Sequence, residues 1–303
     1  MNKEQRTAKP FVKWVGGKTQ LLSQLEKLLP QEIYNEEFTY IEPFVGGGAM
    51  LFFMLQKFPN IKKAVINDLN CNLIDTYINI KKNPEKLIEI LKKMEKDYLS
   101  ITKEVDRRTF YLDIRRQFNE NQLSNIEKSA FFIFLNRTCF NGLYRENSKG
   151  KFNVPFGRYA NPTICNEELI YADCELLNKF NVVILNADYS ETYKEIDNDR
   201  LNFFYFDPPY RPLSSTSSFN NYVKENFGDN EQNRLADFCH TIDLKDNCIW
   251  MLNNSDCSSK NPQDTFFEEL YSEFNIYKVY AKRNVNANAN KRGTLTELLI
   301  NNF

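Results

Sequence analysis

The tetrapeptide Asp207-Pro208-Pro209-Tyr210 carries the residue types best suited to chemistry in this 303-residue chain. It ends an apolar run, FFYF, that is typical of a buried strand. An amino group on an aromatic ring is a poor nucleophile because its lone pair is delocalised into the ring. The Asp207 carboxylate and the Pro208 carbonyl could accept its two N–H protons and localise that lone pair, and Tyr210 offers a flat face for stacking. The alternative interpretation is an ordinary Asp-Pro turn at a strand end.

Two glycine-rich motifs and two acidic residues predict a cofactor site. The motif EPFVGGG, residues 42–48, follows a predicted strand and precedes a helix, so Gly46 and Gly48 allow close backbone approach and the helix N-terminus favours an anionic group. FVKWVGGK, residues 11–18, is the second motif. Asp68 ends the next strand and suits ribose hydroxyls, while Asp188 in NADY could meet an adenine ring. Together these residues fit S-adenosylmethionine, although a GGG turn alone also suits a plain strand–helix connection.

Other nucleotide-binding motifs are excluded by spacing. The glycine turn lacks the GxGxxG pattern of nicotinamide dehydrogenases. The Gly-Gly-Lys at residues 16–18 lacks both the upstream glycine and the preceding buried strand of a phosphate-binding loop. The order of the motifs therefore carries more weight than any one of them.

The elements that must position these residues are typical of an α/β protein. YIEPF, VGGG, AMLFFMLQKF and KKAVIND predict a strand–turn–helix–strand unit that opens a Rossmann-like sheet. From about residue 70 to 136 the chain reads as helical, and residues 138–162 predict a hairpin or ordered loop. NVVILNADY, LNFFYFDPPY, NCIWMLNN, FNIYKVYAKR and LTELLINNF predict further strands. PLSSTSSFNNY and NVNANANKRG predict mobile loops, the first in the place of a lid.

Composition limits the class of protein. There is no apolar run of the roughly 20 residues that a membrane span needs, so we expect a soluble, cytoplasmic protein. The seven cysteines include no CxxC pair, which argues against a disulfide framework and a structural zinc site. The single histidine, His240, falls in a predicted helix and suits packing better than catalysis. No metal is expected.

FVKWVGGK, EPFVGGG and DPPY, in that order, resemble the D12-class N6-adenine DNA methyltransferases, and residues 140–162 resemble the recognition hairpin of the Dam and DpnII/MboI-type enzymes. The resemblance covers nearly the whole chain. It implies a methyltransferase domain at 1–75 and 166–303 and an inserted, mostly helical target-recognition domain at 76–165 carrying a β-hairpin. The implied cofactor is S-adenosylmethionine, held by residues matching Trp14, Lys18, Phe44, Gly46, Gly48, Asp68 and Asp207. Gly17, Glu42 and Asp188, which lie in or near the same motifs, complete the predicted cofactor site.

The resemblance also implies a partner, double-stranded DNA with GATC sites, whose target adenine flips out of the duplex. Arg145 would contact one guanine in the major groove and Lys13 the other. Leu143 and Pro155 would approach the thymine. Phe140 and Asn141 would enter the duplex where the adenine leaves it, and Tyr159 completes the DNA-binding candidates. Phe140 replaces the tyrosine that Dam has before Asn-Gly-Leu, which leaves the flanking-sequence preference open.

The overall charge of −1 does not predict a nucleic-acid partner, so positive charge must be concentrated locally. Residues 136–159 contain five basic residues and one acidic residue, Glu146, which gives +4. That concentration is what phosphate contacts require. The alternative is a solvated basic hairpin without a partner. The basic residues are Arg137, Arg145, Lys149, Lys151 and Arg158.

Three other functions compete with adenine methylation. N4-cytosine methylation poses the same problem of an exocyclic amine. Methylation of RNA or of a protein glutamine fits less well, because those sites more often have Asn where Asp207 stands. A non-catalytic DNA-binding relative is disfavoured by the intact Asp207, Tyr210 and glycine turn. The sequence leaves open whether a restriction endonuclease is a genetic partner.

Overall fold

The computed structural model describes residues 7–120, 122–211, 227–282 and 294–303. The chain divides into two compact units. The first unit comprises Met1–Gly17, Val45–Lys57 and Asn67–Ala187, and the second comprises Lys18–Phe44, Phe58–Ile66 and Asp188–Phe303. The two predicted loops at 212–222 and 284–293 lie outside the described residues.

The described residues contain ten α-helices and seven β-strands. The helices are α1 (Leu22–Leu25), α2 (Glu32–Asn35), α3 (Ala49–Lys57), α4 (Cys71–Lys82), α5 (Pro84–Ser100), α6 (Glu104–Asn119), α7 (Asn125–Thr138), α8 (Glu167–Lys179), α9 (Asp229–Asp243) and α10 (Phe266–Leu270). The strands are β1 (Phe38–Glu42), β2 (Ile61–Asn67), β3 (Val183–Leu185), β4 (Leu201–Phe206), β5 (Cys248–Ser255), β6 (Asn275–Lys282) and β7 (Thr294–Asn301).

The first unit is mostly helical and contains α3 to α8 with the short strand β3. Its helices begin where the sequence supplies caps: the Asn70 side chain accepts from Leu73 N at α4, and Ser124 and Glu127 form a capping box at α7. Helix α5 buries one stripe of side chains, including Leu87, Leu91 and Tyr98, which has the spacing of an amphipathic helix. Helix α7 is buried on nearly all sides and forms the middle of this unit.

An irregular hairpin follows α7, as the sequence predicts. Two isolated antiparallel bridges, Cys139–Phe156 and Glu146–Phe152, hold its arms together. A single 3-10 turn, Phe140–Gly142, begins the hairpin. The backbone of Asn141 has a φ of 58° and that of Gly142 a φ of 65°, a region that asparagine and glycine tolerate better than other residues.

The sheet has seven strands, six of which belong to the second unit in the order β2-β1-β4-β5-β7-β6. Strands β2, β1, β4 and β5 are parallel, and β7 runs antiparallel to both β5 and β6. Strands β1 and β4 are buried almost throughout, as expected for parallel strands at the middle of a sheet. This mostly parallel sheet with helices confirms the predicted α/β class.

Several predicted elements differ in extent from the observed ones. NVVILNADY forms a strand only at Val183–Leu185. Beyond this strand the backbone of Ala187 bonds a side chain at the end of β2: Asn67 Nδ2 donates to the Ala187 carbonyl, and Ala187 N donates to Asn67 Oδ1. The compact first unit also extends beyond 76–165, into residues 45–57 and up to Ala187. The boundaries at 75 and 165 between a methyltransferase domain and a target-recognition domain stay a prediction.

In the described part of the chain, no helix is both long and apolar enough to cross a bilayer.

Candidate active site

Asp207 follows the last residue of β4 and reaches the carboxyl edge of the sheet. Its neighbour strand β1 is parallel, with Ile41 paired to Phe204, so Glu42 ends β1 at the same edge. Glu42 is buried and accepts a hydrogen bond from the Tyr40 hydroxyl at 2.8 Å. The glycine turn 46–48 begins four residues after Glu42 in the chain. The sheet therefore presents DPPY beside the strand that leads into EPFVGGG.

Asp207 and three other side chains of the second unit form a compact polar cluster. Lys18 Nζ lies 2.8 Å from Asp207 Oδ1 and 3.9 Å from Glu297 Oε2. The Tyr210 hydroxyl donates to Glu297 Oε2 at 2.7 Å, and Lys18 Nζ lies 4.5 Å from the centre of the Tyr210 ring. Lys18 is 4% exposed, so a buried ammonium links the two carboxylates and the aromatic ring.

Burial sets the protonation of this cluster. Loss of solvation raises the pKa of Asp207 above its usual range, and the Lys18 ammonium opposes that rise. Burial, followed by the charges of Asp207 and Glu297, holds the pKa of Tyr210 well above its ordinary value. Tyr210 is therefore a neutral phenol whose hydroxyl donates a hydrogen bond to Glu297 Oε2.

Hydrogen bonds from α9 and β5 fix the backbone after Asp207. The Gln232 side chain donates to the Pro209 carbonyl at 3.0 Å and accepts from Asn254 Nδ2 at 3.0 Å. Both amides are fully buried. The Arg211 carbonyl accepts from the Ser255 hydroxyl at 2.6 Å. Because the Pro209 carbonyl already has a donor, Pro208 remains the better candidate for the second acceptor predicted from the sequence.

The glycine turn belongs to the first unit, where Asp68 holds it in place. Asp68 Oδ2 accepts from Gly46 N at 3.1 Å, and Oδ1 accepts from Asn70 N at 2.9 Å. Burial raises the pKa of Asp68, and these two backbone N–H groups lower it. The Tyr77 hydroxyl donates to the Gly46 carbonyl at 3.1 Å. Asp68 thus has a structural role in addition to the ribose contact that the sequence predicts.

Trp14 packs directly on this turn. A Cβ atom at Gly46 would lie 2.7 Å from Trp14 Cδ1, and the φ of Gly46 is 48°. Internal packing and backbone conformation therefore demand glycine here, independently of any ligand. Gly17 N donates to the Trp14 carbonyl at 3.2 Å, which brings the predicted residues Trp14, Gly17 and Gly46 into one local structure.

Phe44 and Asp188 lie in the second unit. Phe44 packs against Tyr189, with ring centres 5.1 Å apart. The Asp188 carboxylate pairs with Arg234, whose Nη2 lies 2.6 Å from Oδ1. This hydrogen-bonded ion pair lowers the pKa of Asp188 to about 2. The adenine contact predicted for Asp188 would have to coexist with Arg234.

Asn136, near the end of α7, joins Lys13 to the hairpin. Lys13 N donates to Asn136 Oδ1 at 2.9 Å, and Asn136 Nδ2 donates to the carbonyls of Lys13 and Gly142, both at 2.9 Å. The Lys13 side chain covers Gly142, where an added Cβ would lie 2.5 Å from Lys13 Cδ. Two parts of the predicted DNA-binding set, Lys13 and the segment 140–143, therefore lie together.

The remaining predicted DNA-binding residues lie along the hairpin. Phe140 is 53% exposed although its backbone N–H is held by the Pro155 carbonyl at 2.8 Å. Arg145 is exposed and its Nε donates to Asn153 Oδ1 at 2.7 Å. The Tyr159 carbonyl accepts from the Tyr98 hydroxyl. Arg137 donates to the Phe11 carbonyl at 2.6 Å, so this one of the five basic residues serves the interior of the unit.

Tyr144, one residue before Arg145, stacks on Trp14. The ring centres are 5.6 Å apart and the planes differ by 21°. Tyr144 donates to Glu146 and accepts from Asn72 Nδ2 at 3.1 Å, and burial raises its pKa. The hairpin is thereby attached to the segment that covers the glycine turn.

Comparison with known proteins identifies the family of this chain. A family model for the D12 class N6 adenine-specific DNA methyltransferases matches residues 14–285. The chain belongs to this family. The resemblance found in the sequence motifs is thereby confirmed, and the sheet that carries DPPY is the sheet of a D12-class methyltransferase.

Individual D12-class relatives align over nearly their whole lengths. The type II methyltransferase M.MjaIII of Methanocaldococcus jannaschii is 44% identical over 299 residues, which covers 97% of this chain and 99% of the relative. The type II methyltransferase M1.LlaDCHI of Lactococcus lactis subsp. cremoris is 39% identical, covering 100% and 98%. The DNA adenine methylase of Haemophilus influenzae is 32% identical, covering 96% and 92%.

Within this D12-class chain, sequence reasoning missed four residues that the structure places against predicted ones. Glu297 contacts Tyr210, Gln232 contacts Pro209, Asn136 contacts Lys13, and Tyr144 contacts Trp14. Only Asn136 has a sequence signal, a polar side chain ending the apolar run AFFIFL of a buried helix. In the described residues, no group of three His, Cys, Asp or Glu side chains could hold a metal ion.

Proposed function

We propose that this D12-class enzyme transfers a methyl group from S-adenosylmethionine to N6 of adenine in double-stranded DNA, within GATC. The observation that carries the proposal is the cluster of Asp207, Tyr210 and Lys18 at the sheet edge beside the end of β1. Parallel α/β sheets bind their ligands at this edge.

The charges of the cluster fit a cationic cofactor. One ammonium, Lys18, faces two carboxylates, Asp207 and Glu297, so the formal charge of these three groups is −1. A sulfonium would balance that charge. S-adenosylmethionine would supply an electrophilic methyl group on sulfur. We assign to it Trp14, Gly17, Lys18, Glu42, Phe44, Gly46, Gly48, Asp68, Asp188 and Asp207, the residues predicted from the sequence.

Asp207 has the acceptor capacity that amine activation needs. An ionised carboxylate offers about four lone-pair sites, so Asp207 can keep Lys18 on Oδ1 and accept an N6–H proton on another site. The Pro208 carbonyl would accept the second N–H proton, and Tyr210 would stack on the purine. S-adenosylmethionine, when bound, would supply the methyl carbon to N6 and leave as a neutral thioether. The surplus N6 proton would then pass to the Asp207 carboxylate or to water.

The target adenine lies inside a duplex, so we propose that it flips out, at a cost of about a few kcal/mol. Phe140 and Asn141 support this step, because they lie in a 3-10 turn whose aromatic side chain is 53% exposed. Such a side chain can fill the space that the adenine leaves.

GATC specificity is supported by the hairpin that matches the Dam and DpnII/MboI-type enzymes. Arg145 projects from it with Nε held by Asn153, and an arginine fork matches O6 and N7 of guanine. Lys13, Leu143, Pro155 and Tyr159 complete the proposed DNA contacts. The Haemophilus influenzae relative carries the name DNA adenine methylase.

Methylation of a random-sequence plasmid library with purified protein and S-adenosylmethionine tests the proposal. Sequencing that detects modified bases should find N6-methyladenine confined to GATC. N6-methyladenine in another sequence would refute the specificity alone. N4-methylcytosine, or no modified base at all, would refute the proposed reaction.

A further inference from the structure

Glu297 reaches the catalytic edge from a strand of opposite direction. Strand β7 is antiparallel to β5, with Glu297 paired to Ser255, the last residue of β5. Because β5 is parallel to β4, the beginning of β7 and the end of β4 lie at one edge of the sheet. Glu297 is 13% exposed, so its carboxylate faces the cluster around Asp207 and little solvent.

The backbone of Glu297 belongs to the strand ladder, whereas its side chain contacts the cluster around Asp207. Its Oε2 accepts from the Tyr210 hydroxyl at 2.7 Å and lies 3.9 Å from Lys18 Nζ. Lys18 Nζ in turn lies 4.5 Å from the centre of the Tyr210 ring. The Tyr210 side chain is therefore held at its far end, where the hydroxyl bonds Glu297, and the Lys18 ammonium covers one face of the ring.

Stacking on a base requires the aromatic ring alone, since the hydroxyl lies in the ring plane. A hydrogen bond at the hydroxyl restricts rotation about both side-chain torsions of the tyrosine and so selects one ring plane. Pre-organisation of this kind favours a reaction that depends on the alignment of donor and acceptor atoms.

We propose that Glu297 is a positioning residue for methyl transfer: it holds Tyr210 in the plane that stacks on the target base. The inference rests on the proposed function of this site. Glu297 contacts neither the transferred methyl group nor the amine in this scheme and acts through Tyr210.

Single-turnover methylation of a GATC duplex at saturating S-adenosylmethionine tests the role. Glu297→Ala and Tyr210→Phe both remove the hydrogen bond, and each should lower the rate constant by roughly tenfold to a hundredfold, the range of a hydrogen bond to a charged group. The KM for DNA should change less, since ring alignment matters most in the transition state. The Glu297→Ala/Tyr210→Phe double variant should be no slower than the slower single variant.

Glu297→Gln keeps an acceptor oxygen and should restore the rate to within about threefold of wild type. Glu273→Ala is the matched control, because it removes a carboxylate of the same unit that is 78% exposed. Circular dichroism checks that each variant is folded. A wild-type rate in Glu297→Ala, multiplied losses in the double variant, or no rescue by Glu297→Gln would each overturn the proposal.

Fluorine NMR separates this inference from the proposed function. In protein labelled with 3-fluorotyrosine, the Tyr210 resonance is identified by its loss in Tyr210→Phe. It should shift in Glu297→Ala and stay near the wild-type position in Glu297→Gln. If the wild type methylates no adenine, the proposed function has failed while this resonance still reports the contact. An unshifted resonance in Glu297→Ala overturns the positioning role whatever the activity.

Discussion

Lys18 Nζ lies 2.8 Å from Asp207 Oδ1, and the lysine is 4% exposed. Both residues lie in the second unit, where Lys18 is the last residue of the second glycine-rich motif and Asp207 the first of the DPPY tetrapeptide. Because burial opposes the charged form of Asp207 and the Lys18 ammonium favours it, the protonation state of this carboxyl group should respond to loss of Lys18. Its protonation is therefore open to measurement.

The acid limb of the pH–rate profile should depend on Lys18. The proposed mechanism requires ionised Asp207, whose pKa is raised by burial, so activity should fall as the pH drops through a value above the ordinary 3.8. Lys18→Gln removes the group that lowers this pKa and should move the limb to higher pH, measured in single turnovers at saturating cofactor. Lys63→Gln, which breaks a pair with Glu195 in the same unit, should leave the limb in place. A limb displaced to lower pH in Lys18→Gln would contradict this account.

Asp207→Ala should lower the methyl-transfer rate by at least about 100-fold, because it removes a pre-organised group aimed at developing charge. Asp207→Asn keeps one acceptor oxygen and should lose less. The far-ultraviolet circular dichroism spectrum and the thermal unfolding midpoint should show that both variants fold. Turnover at the wild-type level in Asp207→Ala would exclude the mechanism.

Gln232→Leu should reduce both stability and rate. It leaves the Pro209 carbonyl and the Asn254 amide buried without their present partner, each at a cost of about 1–3 kcal/mol. Urea unfolding should show the loss, and single-turnover kinetics should show a slower transfer because the DPPY backbone is less well held. Gln263→Leu, at an exposed position, is the control. Unchanged stability in Gln232→Leu would mean that the two amides find other partners.

Arg145→Ala should relax sequence discrimination. A lost arginine–guanine contact costs about 1–3 kcal/mol, and the loss should be confined to substrates that keep the guanine. Competition between GATC and its single-base variants measures it. Lys149→Ala, also in the hairpin, should weaken DNA binding about equally for every sequence and reduce its salt dependence. Equal discrimination by Arg145→Ala and the wild type would refute the assignment.

The Asp188–Arg234 pair should stabilise the second unit in a pH-dependent way. The pKa of Asp188 is lowered to about 2 from its ordinary 3.8, so the stabilisation is fully present above about pH 3.8 and is lost as the pH falls through about 2. The two side chains are 37% and 45% exposed, so solvent screening limits the contribution to about 0–1 kcal/mol. The difference in unfolding free energy between wild type and Asp188→Asn should shrink over that range. A difference that grows with acid would contradict the sign.

The parallel part of the fold could be predicted because its strands are continuous apolar runs that end in polar residues. This pattern predicted Glu42 and Asp207 at strand ends. The structure adds that their two strands are neighbours in the sheet. The same rule missed Glu297, because an antiparallel strand brings its beginning to that edge and no local pattern marks the direction of a strand.

Hydrogen-bond partners that are distant in sequence were also beyond prediction. Gln232 lies in an amphipathic helix where a polar residue is ordinary, and only the packing of α9 shows that it is buried. The roles of Gly46 and Gly48 were predicted as room for a ligand. The structure adds a nearer cause, since Trp14 and Tyr77 fill the space that a side chain would need.

The stacking of Tyr144 on Trp14 has a consequence for engineering. Residues 140–159 look like a cassette that could be exchanged between relatives to change the target sequence. A transplanted cassette would also replace Tyr144, one of the two stacked rings. Because Trp14 packs against Gly46, a change in the packing of Trp14 should shift the glycine turn. Chimeras that retain Tyr144 and Glu146, and with them the contact of Tyr144 with Asn72, should therefore outperform swaps of the whole cassette.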